Sequence, residues 1–163
     1  MKKIIFICCL LISFMFGNVK NFILCEGNFG SPNASVWSFN INNGSFGAIE
    51  GPVYWNENSN PLGDTGHSMT VINNRLFVVM NNSHSVEILD LDGEDISFVG
   101  TISLPFASPR YLITYGESGY ISCWNLSGLV EFDLQSFTIT DTIFVGGMPE
   151  MMAIHEDILY ISI

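Results

Sequence analysis

The amino-acid sequence predicts an all-β protein built from repeated small sheets, and three observations support that fold class. Short runs of β-branched and aromatic residues recur along the chain, several with alternating apolar and polar positions. Turn sequences such as NNG, LDGED and YGESG separate these runs. No stretch after residue 20 keeps a capped helical spacing of apolar residues over three turns, so we expect little or no helix.

The N-terminal segment has the form of a secretory signal. The chain begins with MKK and continues with the apolar run IIFICCLLISFMFG, which is too short to cross a bilayer comfortably. We assign residues 1–20 to a signal peptide and residues 21–163 to one domain with no membrane-spanning segment. The protein is then exported, to the periplasm or the cell surface. The alternative is an uncleaved anchor, because the residues before Gly17 form a poor cleavage site.

After this segment the chain consists of short strand-like runs. Their lengths and their β-branched and aromatic content are typical of strands, and polar turns of a few residues join them. In chain order the clearest runs are VWSFNI, RLFVVM, SVEILDL, YISCW, LVEFDL, FTITDTIFV and ILYISI.

These strands belong to a repeat of about forty residues. Phe77, Tyr120 and Tyr160 begin the similar runs FVVM, YISC and YISI, and lie 43 and 40 residues apart. Asp90 and Asp133, also 43 residues apart, lie in the related segments VEILDL and VEFDL. A unit of this length with four short strands is the sequence signature of a β-propeller blade. We therefore predict an all-β β-propeller made of four-stranded antiparallel blades.

Three segments resemble the opening blades of YncE-like β-propellers: ILCEGNFGSPNASVWSFN, PLGDTGHSMTVINNRLFVVMNNSHSVEILD and SPRYLI. The likeness runs from about Phe22 to Ile163 and is greatest to the cell-envelope branch that includes surface cobalamin-binding propellers of Gram-negative bacteria. The resemblance implies a ring of seven blades, of which this chain supplies about three. We therefore expect an N-terminal fragment whose C-terminal blades are missing, with the remaining blades of its own ring as partners.

The repeat also predicts which face of the blades carries function. Successive antiparallel strands place their connections alternately on two faces, and one face receives only short polar turns. The opposite face, here called the loop face, carries the longer loops between second and third strands and the connections between blades. These are CEGNFGSPNA, MNNSHS, CWNLSG, GPVYWNENSNPLGDTGHS, PFASPR and GGMPE. We expect the binding surface there, because rigid strands position such loops.

The candidate ligand-binding residues all lie on the loop face. They are Asn28, Phe29, Asp64, His67, Asn81, Arg110, Trp124 and Asn125. Arg110 is suited to gripping a carboxylate, amide or phosphate, or else it pairs with Asp64 or Glu150 and fixes its loop. Trp124 and Phe29 form either an aromatic platform for a flat or sugar-like ligand or a packing contact between blades.

Charge and histidine spacing exclude several partners. Five Lys and Arg residues against sixteen Asp and Glu residues give a net charge of −11, so nucleic acid is not expected as a partner. His67, His84 and His155 lack the spacing of metal ligands, and we predict no metal and no cofactor. Cys25 and Cys123 occupy one repeat position two blades apart, too far for a disulfide, and are expected to be buried.

We therefore interpret the chain as an exported ligand-binding module that is not an enzyme and that captures a small nutrient near the channel of the ring. A cobalamin-like ligand is what the resemblance implies, and no residue by itself indicates it. One alternative is a scaffold that docks an envelope protein. The other is a propeller-type hydrolase or lyase, although the chain has no Gly-x-Ser-x-Gly and no phosphate-binding glycine loop.

Overall fold

The structure, a computed structural model, describes residues 19–42, 44–93 and 95–163. The predicted signal peptide, residues 1–20, lies outside these ranges except for its last two residues. No helix within the described ranges is long and apolar enough to cross a membrane.

The described residues form four antiparallel sheets in which consecutive strands pair with each other. The first sheet contains β1 (Val19–Cys25), β2 (Ser35–Asn42) and β3 (Ser45–Phe46), and the helix α1 (Val53–Asn58) follows it. The second contains β4 (Gly66–Ile72), β5 (Arg75–Met80), β6 (Ser85–Asp92) and β7 (Asp95–Ser103). The third contains β8 (Pro109–Tyr115), β9 (Ser118–Cys123), β10 (Gly128–Asp133) and β11 (Ile139–Phe144). The fourth contains β12 (Met152–His155) and β13 (Ile158–Ile161). The predicted all-β fold with four-stranded antiparallel blades is confirmed.

The second sheet lies between the first and the third, and β5 contributes to both interfaces. Leu76, Val78 and Met80 point into a core shared with the first sheet. Phe77 and Val79 point to the opposite side, into a core shared with the third sheet. Because side chains alternate across a strand, a run that is apolar at every position suits a strand buried on both faces. Each fully buried Leu or Phe stabilises the stack by about 1.5–3 kcal/mol.

The connection between the first two sheets contains the helix α1, which is short enough to agree with the expectation of little or no helix. The helix has only six residues, from Val53 to Asn58, and ends at Ser59, which adopts a left-handed conformation. Val53 and Tyr54 are buried against the second sheet. A single short turn of helix has no periodicity that a sequence pattern can reveal, and here tertiary packing stabilises it.

The two cysteines differ, and the prediction that both are buried is wrong for Cys25. Cys123 is buried and Cys25 is exposed, and neither forms a disulfide. In the third sheet β8 covers Cys123 through the Pro109–Cys123 pair, whereas β2 is the only described strand that pairs with β1. Burial raises the pKa of the Cys123 thiol to about 12, so this thiol stays protonated at neutral pH.

Candidate functional site

The repeat brings three polar residues of successive sheets to the loop face. His67 follows the first residue of β4, Arg110 follows the first residue of β8, and Glu150 precedes β12. They lie 43 and 40 residues apart, at the same position of successive repeats. Adjacent blades place equivalent positions side by side, so these three residues form a row along the first strands of the second, third and fourth sheets, β4, β8 and β12.

A cleft of about 670 Å³ opens beside this row. We call it the inner cleft and define it by Leu24 and Glu26 of the first sheet, His67 and Ser68 of the second, and Arg110 of the third. Leu24 supplies an apolar wall, while the other four residues carry hydrogen-bonding groups. Three successive sheets therefore contribute polar groups to one concave surface.

Arg110 is held from three directions. Its Nε and Nη2 donate to the two carboxylate oxygens of Glu150, both at 3.2 Å. Its guanidinium carbon lies 3.8 Å from the centroid of the Trp124 ring. Its carbonyl oxygen accepts a 2.6 Å hydrogen bond from the Ser68 hydroxyl. Of the two acidic partners considered from the sequence, Glu150 and not Asp64 pairs with Arg110, and the Arg110 side chain, 16% exposed, is fixed at the edge of the inner cleft.

His67 is neutral at neutral pH. Burial lowers its pKa, and the positive charge of Arg110 lowers it further, while the Glu150 and Glu26 carboxylates act in the opposite direction. The imidazole packs edge-on against Tyr111 with ring centroids 4.9 Å apart. Its Nε2 is buried and has no hydrogen-bond partner among the described residues. A buried ring nitrogen without a protein partner is uncommon, and a water molecule or a ligand group that hydrogen-bonds to it would satisfy it.

Asp64 belongs to a different part of the loop face. Its carboxylate accepts hydrogen bonds from the Gly30 backbone at 3.0 Å, the Thr65 hydroxyl at 2.9 Å and the Asn82 amide at 2.6 Å. These bonds, the one from Asn82 above all, lower the pKa of Asp64. Asp64 thus fixes the loop that carries Phe29, whose side chain is 80% exposed. Asn28 lies in the same loop, where its backbone N–H donates to a neighbouring side chain.

The Asn81 and Asn125 side chains hold their loops against the chain segment that leads into β8. The Asn81 amide donates to the Pro109 carbonyl at 3.0 Å. The Asn125 amide donates to the Ser108 hydroxyl at 3.0 Å, and its backbone N–H donates to the Ala107 carbonyl. Of the eight residues proposed from the sequence, the structure brings His67 and Arg110 together in the lining of the inner cleft, and it packs the Trp124 ring against the Arg110 guanidinium.

Two acidic residues at this site, Glu26 and Glu150, were not among the eight. Glu26 directly follows β1, just as Asn81 follows β5 and Trp124 follows β9. This shared repeat position could have identified Glu26 as a candidate from the sequence. Glu150 was considered only as a partner of Arg110. Within the described ranges, no group of three or more His, Cys, Asp or Glu side chains lies close enough to hold a metal ion. The site offers a guanidinium, a neutral imidazole and carboxylates for recognition of polar ligands.

Comparisons with known proteins identify the fold. No family model and no curated protein matches the sequence. Solved structures with similar folds include a chain of the nidogen/laminin complex, with 14% identity and a TM-score of 0.50, which covers 77% of this chain and 43% of that one. The periplasmic gluconolactonase PpgL of Pseudomonas aeruginosa has 18% identity and a TM-score of 0.54, with 78% and 36% covered. A candidate 6-phosphogluconolactonase of Bacteroides fragilis has 18% identity and a TM-score of 0.57, with 89% and 44% covered.

These similarities show a β-propeller-type fold. The chain spans less than half the length of each of the three. Two of them are described as lactonases, and this finding overturns the sequence-based prediction that the chain is not an enzyme. The YncE-like resemblance and its link to cobalamin stay predictions.

Proposed function

We propose that the inner cleft binds a small ligand that carries an anionic or strongly polar oxygen group. The observation that carries this proposal is the convergence of Glu26, His67 and Arg110, from three successive sheets, on one cleft of about 670 Å³. Ligand sites are typically concave, with a few converging polar groups on a rigid scaffold. This volume suits a small molecule or one group of a larger one.

Arg110 is the group that recognises the ligand in this proposal. Its guanidinium is pre-oriented by the Trp124 ring and by Glu150, so binding an oxyanion costs little side-chain entropy. A charge-assisted hydrogen bond to such a group contributes about 1.5–3 kcal/mol. His67 adds a neutral ring nitrogen, its Nε2, whose hydrogen-bonding capacity no described residue uses.

The ligand class follows from chemistry and from the similarities together. A guanidinium beside a neutral imidazole favours a polyoxygenated ligand over an apolar one. The resemblance to surface cobalamin-binding propellers suggests a corrinoid, and the fold shared with a gluconolactonase suggests a sugar acid or its lactone. The signal-like N-terminus is consistent with capture of such a nutrient at the cell envelope.

Two variants of the ion pair test the binding role. We titrate the 163-residue chain with cyanocobalamin and with gluconate and follow tryptophan fluorescence, since the Trp124 ring lies under the guanidinium. Arg110→Gln should weaken binding about tenfold, because it removes the cationic donor. Glu150→Gln should strengthen binding, because it removes a carboxylate that competes for the same donor, while the Trp124 ring still orients the guanidinium.

Each variant breaks the same ion pair, so each controls for the other. A structural role alone predicts equal effects of Arg110→Gln and Glu150→Gln on ligand affinity. That result, or no saturable fluorescence change with either ligand, would contradict the proposal.

Hydrolysis of a lactone at the same cleft is the second candidate. A neutral imidazole near a guanidinium favours it, because His67 Nε2 can accept a proton from water as the water oxygen attacks the lactone carbonyl. Arg110 would stabilise the resulting oxyanion, and breakage of the ring C–O bond with return of the proton gives the hydroxy acid. We test this activity because two solved structures of similar fold are described as lactonases.

Acid release from gluconolactone, above the spontaneous rate and in the presence of a chelator, measures this activity. His67→Gln should lower the rate at least about 100-fold, and the exposed His155→Gln should leave it unchanged. Because the pKa of His67 is lowered, the activity should persist as the pH falls to about 6.5, the ordinary histidine value, and be lost only below it. Equal rates for wild type and His67→Gln would exclude this candidate.

A further inference from the structure

A second cleft lies between the first sheet, α1 and the outermost strand of the second sheet. Its volume is about 440 Å³. We call it the outer cleft and define it by Ser38 of β2, Glu50, Asn56 and Glu57 around α1, and Asp95 of β7. It shares no lining residue with the inner cleft, so the two sites are independent.

The outer cleft exists because the first sheet lacks a full fourth strand. The strand β3 has only two residues, and beyond it the chain touches β2 through a single bridge between Ser38 and Glu50. The chain then turns at Gly51 and enters α1. Tyr54 of α1 packs edge-on against Phe98 of β7 with ring centroids 5.8 Å apart. The helix thus spans the space that a regular strand would have filled and leaves an opening beside it.

An unpartnered hydroxyl lies among the residues that line this opening. The Ser38 side chain is 1% exposed, and its Oγ has no hydrogen-bond partner among the described residues. Buried polar groups in proteins are normally hydrogen-bonded, because an unmade bond costs free energy. A ligand group that forms a hydrogen bond with Oγ would remove that cost, and because a hydroxyl can donate or accept, the charges around the opening decide which kind of group fits.

The charged groups around the opening determine the sign of the ligand. Glu50, Glu57 and Asp95 are exposed carboxylates, and Lys20 is the only basic residue of the lining. The excess of carboxylates favours a cation. A bare metal ion is not indicated, because the described residues contain no group of three or more acidic or imidazole ligands close enough to hold one. A larger cation that reaches from the rim to Ser38 satisfies both observations.

We propose that the outer cleft binds a small organic cation, an ammonium or guanidinium compound, through the rim carboxylates and the Ser38 hydroxyl. The ion recognises Glu57 and Asp95 by charge-assisted hydrogen bonds. One of its N–H groups donates to Ser38 Oγ. The recognition needs no group of the inner cleft.

Calorimetric titration of the 163-residue chain with agmatine tests the proposal, since agmatine carries both a guanidinium and an ammonium group. We expect saturable binding with one agmatine per chain, persisting at physiological salt, where weak surface attraction is screened. Tryptophan fluorescence gives a second readout, because the Trp37 ring packs against Gly51 at the edge of the cleft.

Three variants make the outcome decisive. Glu57→Gln should weaken binding about tenfold, through loss of one charge-assisted contact. Ser38→Ala should weaken it several-fold without lowering the melting temperature, because the hydroxyl makes no bond in the free protein. Glu156→Gln is the matched control: it removes an equal charge from an exposed side chain in the β12–β13 turn and should change nothing. Absence of saturable binding, equal loss in Glu156→Gln, or full affinity in Ser38→Ala would each overturn the proposal.

Discussion

Glu87 shows at the scale of single residues how a charge is accommodated inside this stack of sheets. Its side chain is 5% exposed and lies on β6, next to the core shared with the first sheet. Its carboxylate accepts hydrogen bonds from the Tyr54, Ser85 and Thr101 hydroxyls at 3.1, 2.8 and 2.7 Å. A buried carboxylate is tolerated when its oxygens have such donors. Through the bond to Tyr54 it also joins α1 to the second sheet.

Replacement of Tyr54 by Phe tests this bond. The variant keeps the ring that packs against Phe98 but leaves one Glu87 oxygen with a donor fewer, so the free energy of unfolding should fall by about 1–2 kcal/mol. Urea denaturation measures the change. Tyr115→Phe is the control, because its hydroxyl donates to Asp157 at an exposed position, and its loss should stay within about 0.5 kcal/mol. Equal losses of unfolding free energy in the two variants would show that the buried bond to Glu87 stabilises the fold no more than an exposed one.

The same pair predicts how stability depends on alkaline pH. Burial, and then the negative charge of Glu87, raise the pKa of Tyr54 above its ordinary value of about 10. The unfolded chain therefore loses this proton first as the pH rises. The stabilisation is complete below about pH 10 and declines as the pH rises toward the folded-state pKa. Wild type and Tyr54→Phe should accordingly converge in stability above pH 10, and a constant difference up to pH 11 would contradict this reading.

At the scale of elements, the third sheet depends on a close approach between β9 and β10. Gly119 of β9 pairs with Phe132 of β10, and the Phe132 ring occupies the space where a side chain at position 119 would begin. Phe132 is fully buried and packs against Phe77 of the neighbouring sheet, with ring centroids 6.3 Å apart. The glycine is therefore required by packing across the strand pair.

We expect Gly119→Ala to destabilise the fold by about 1–3 kcal/mol, because the buried ring cannot move without disturbing the interface between two sheets. Thermal unfolding measures the effect. Gly100→Ala on β7 is the matched control: no atom lies within 4 Å of the added methyl group, so stability should be unchanged or slightly higher. A Gly119→Ala variant that melts at the wild-type temperature would show that this packing does not require the glycine.

At the scale of the whole molecule, the degree of burial changes along the stack. Residues 85–89 of β6 are all buried, whereas every residue of β11 is exposed, including Ile139, Ile143 and Phe144. Ile158 and Tyr160 of β13 are also more than half exposed. Each sheet in a repeat protein buries its faces only against its neighbours. Among the described residues, the outer part of the third sheet has no neighbour to cover it.

The repeat in the sequence predicted much of this architecture. The spacing of 43 and 40 residues correctly predicted consecutive four-stranded sheets, because each repeat is one cooperative unit with its own strand and turn chemistry. The same register placed His67 and Arg110 on the loop face and allowed the pairing of Arg110 with Glu150 to be anticipated. Local pattern and repeat position were sufficient for these features, since equivalent positions of adjacent blades are neighbours in space.

Contacts between residues at non-equivalent repeat positions could not be derived in this way. The three donors to Glu87 come from α1, β6 and β7, and nothing in their spacing indicates that they converge. The exposure of Cys25, the lack of partners for His67 Nε2 and Ser38 Oγ, and the outer cleft beside α1 depend on how complete elements pack. The sequence by itself determined the strands, their repeat and the face that carries the loops. Only the tertiary structure decided which polar groups are buried, paired or left open, because burial and pairing depend on atoms that are distant along the chain.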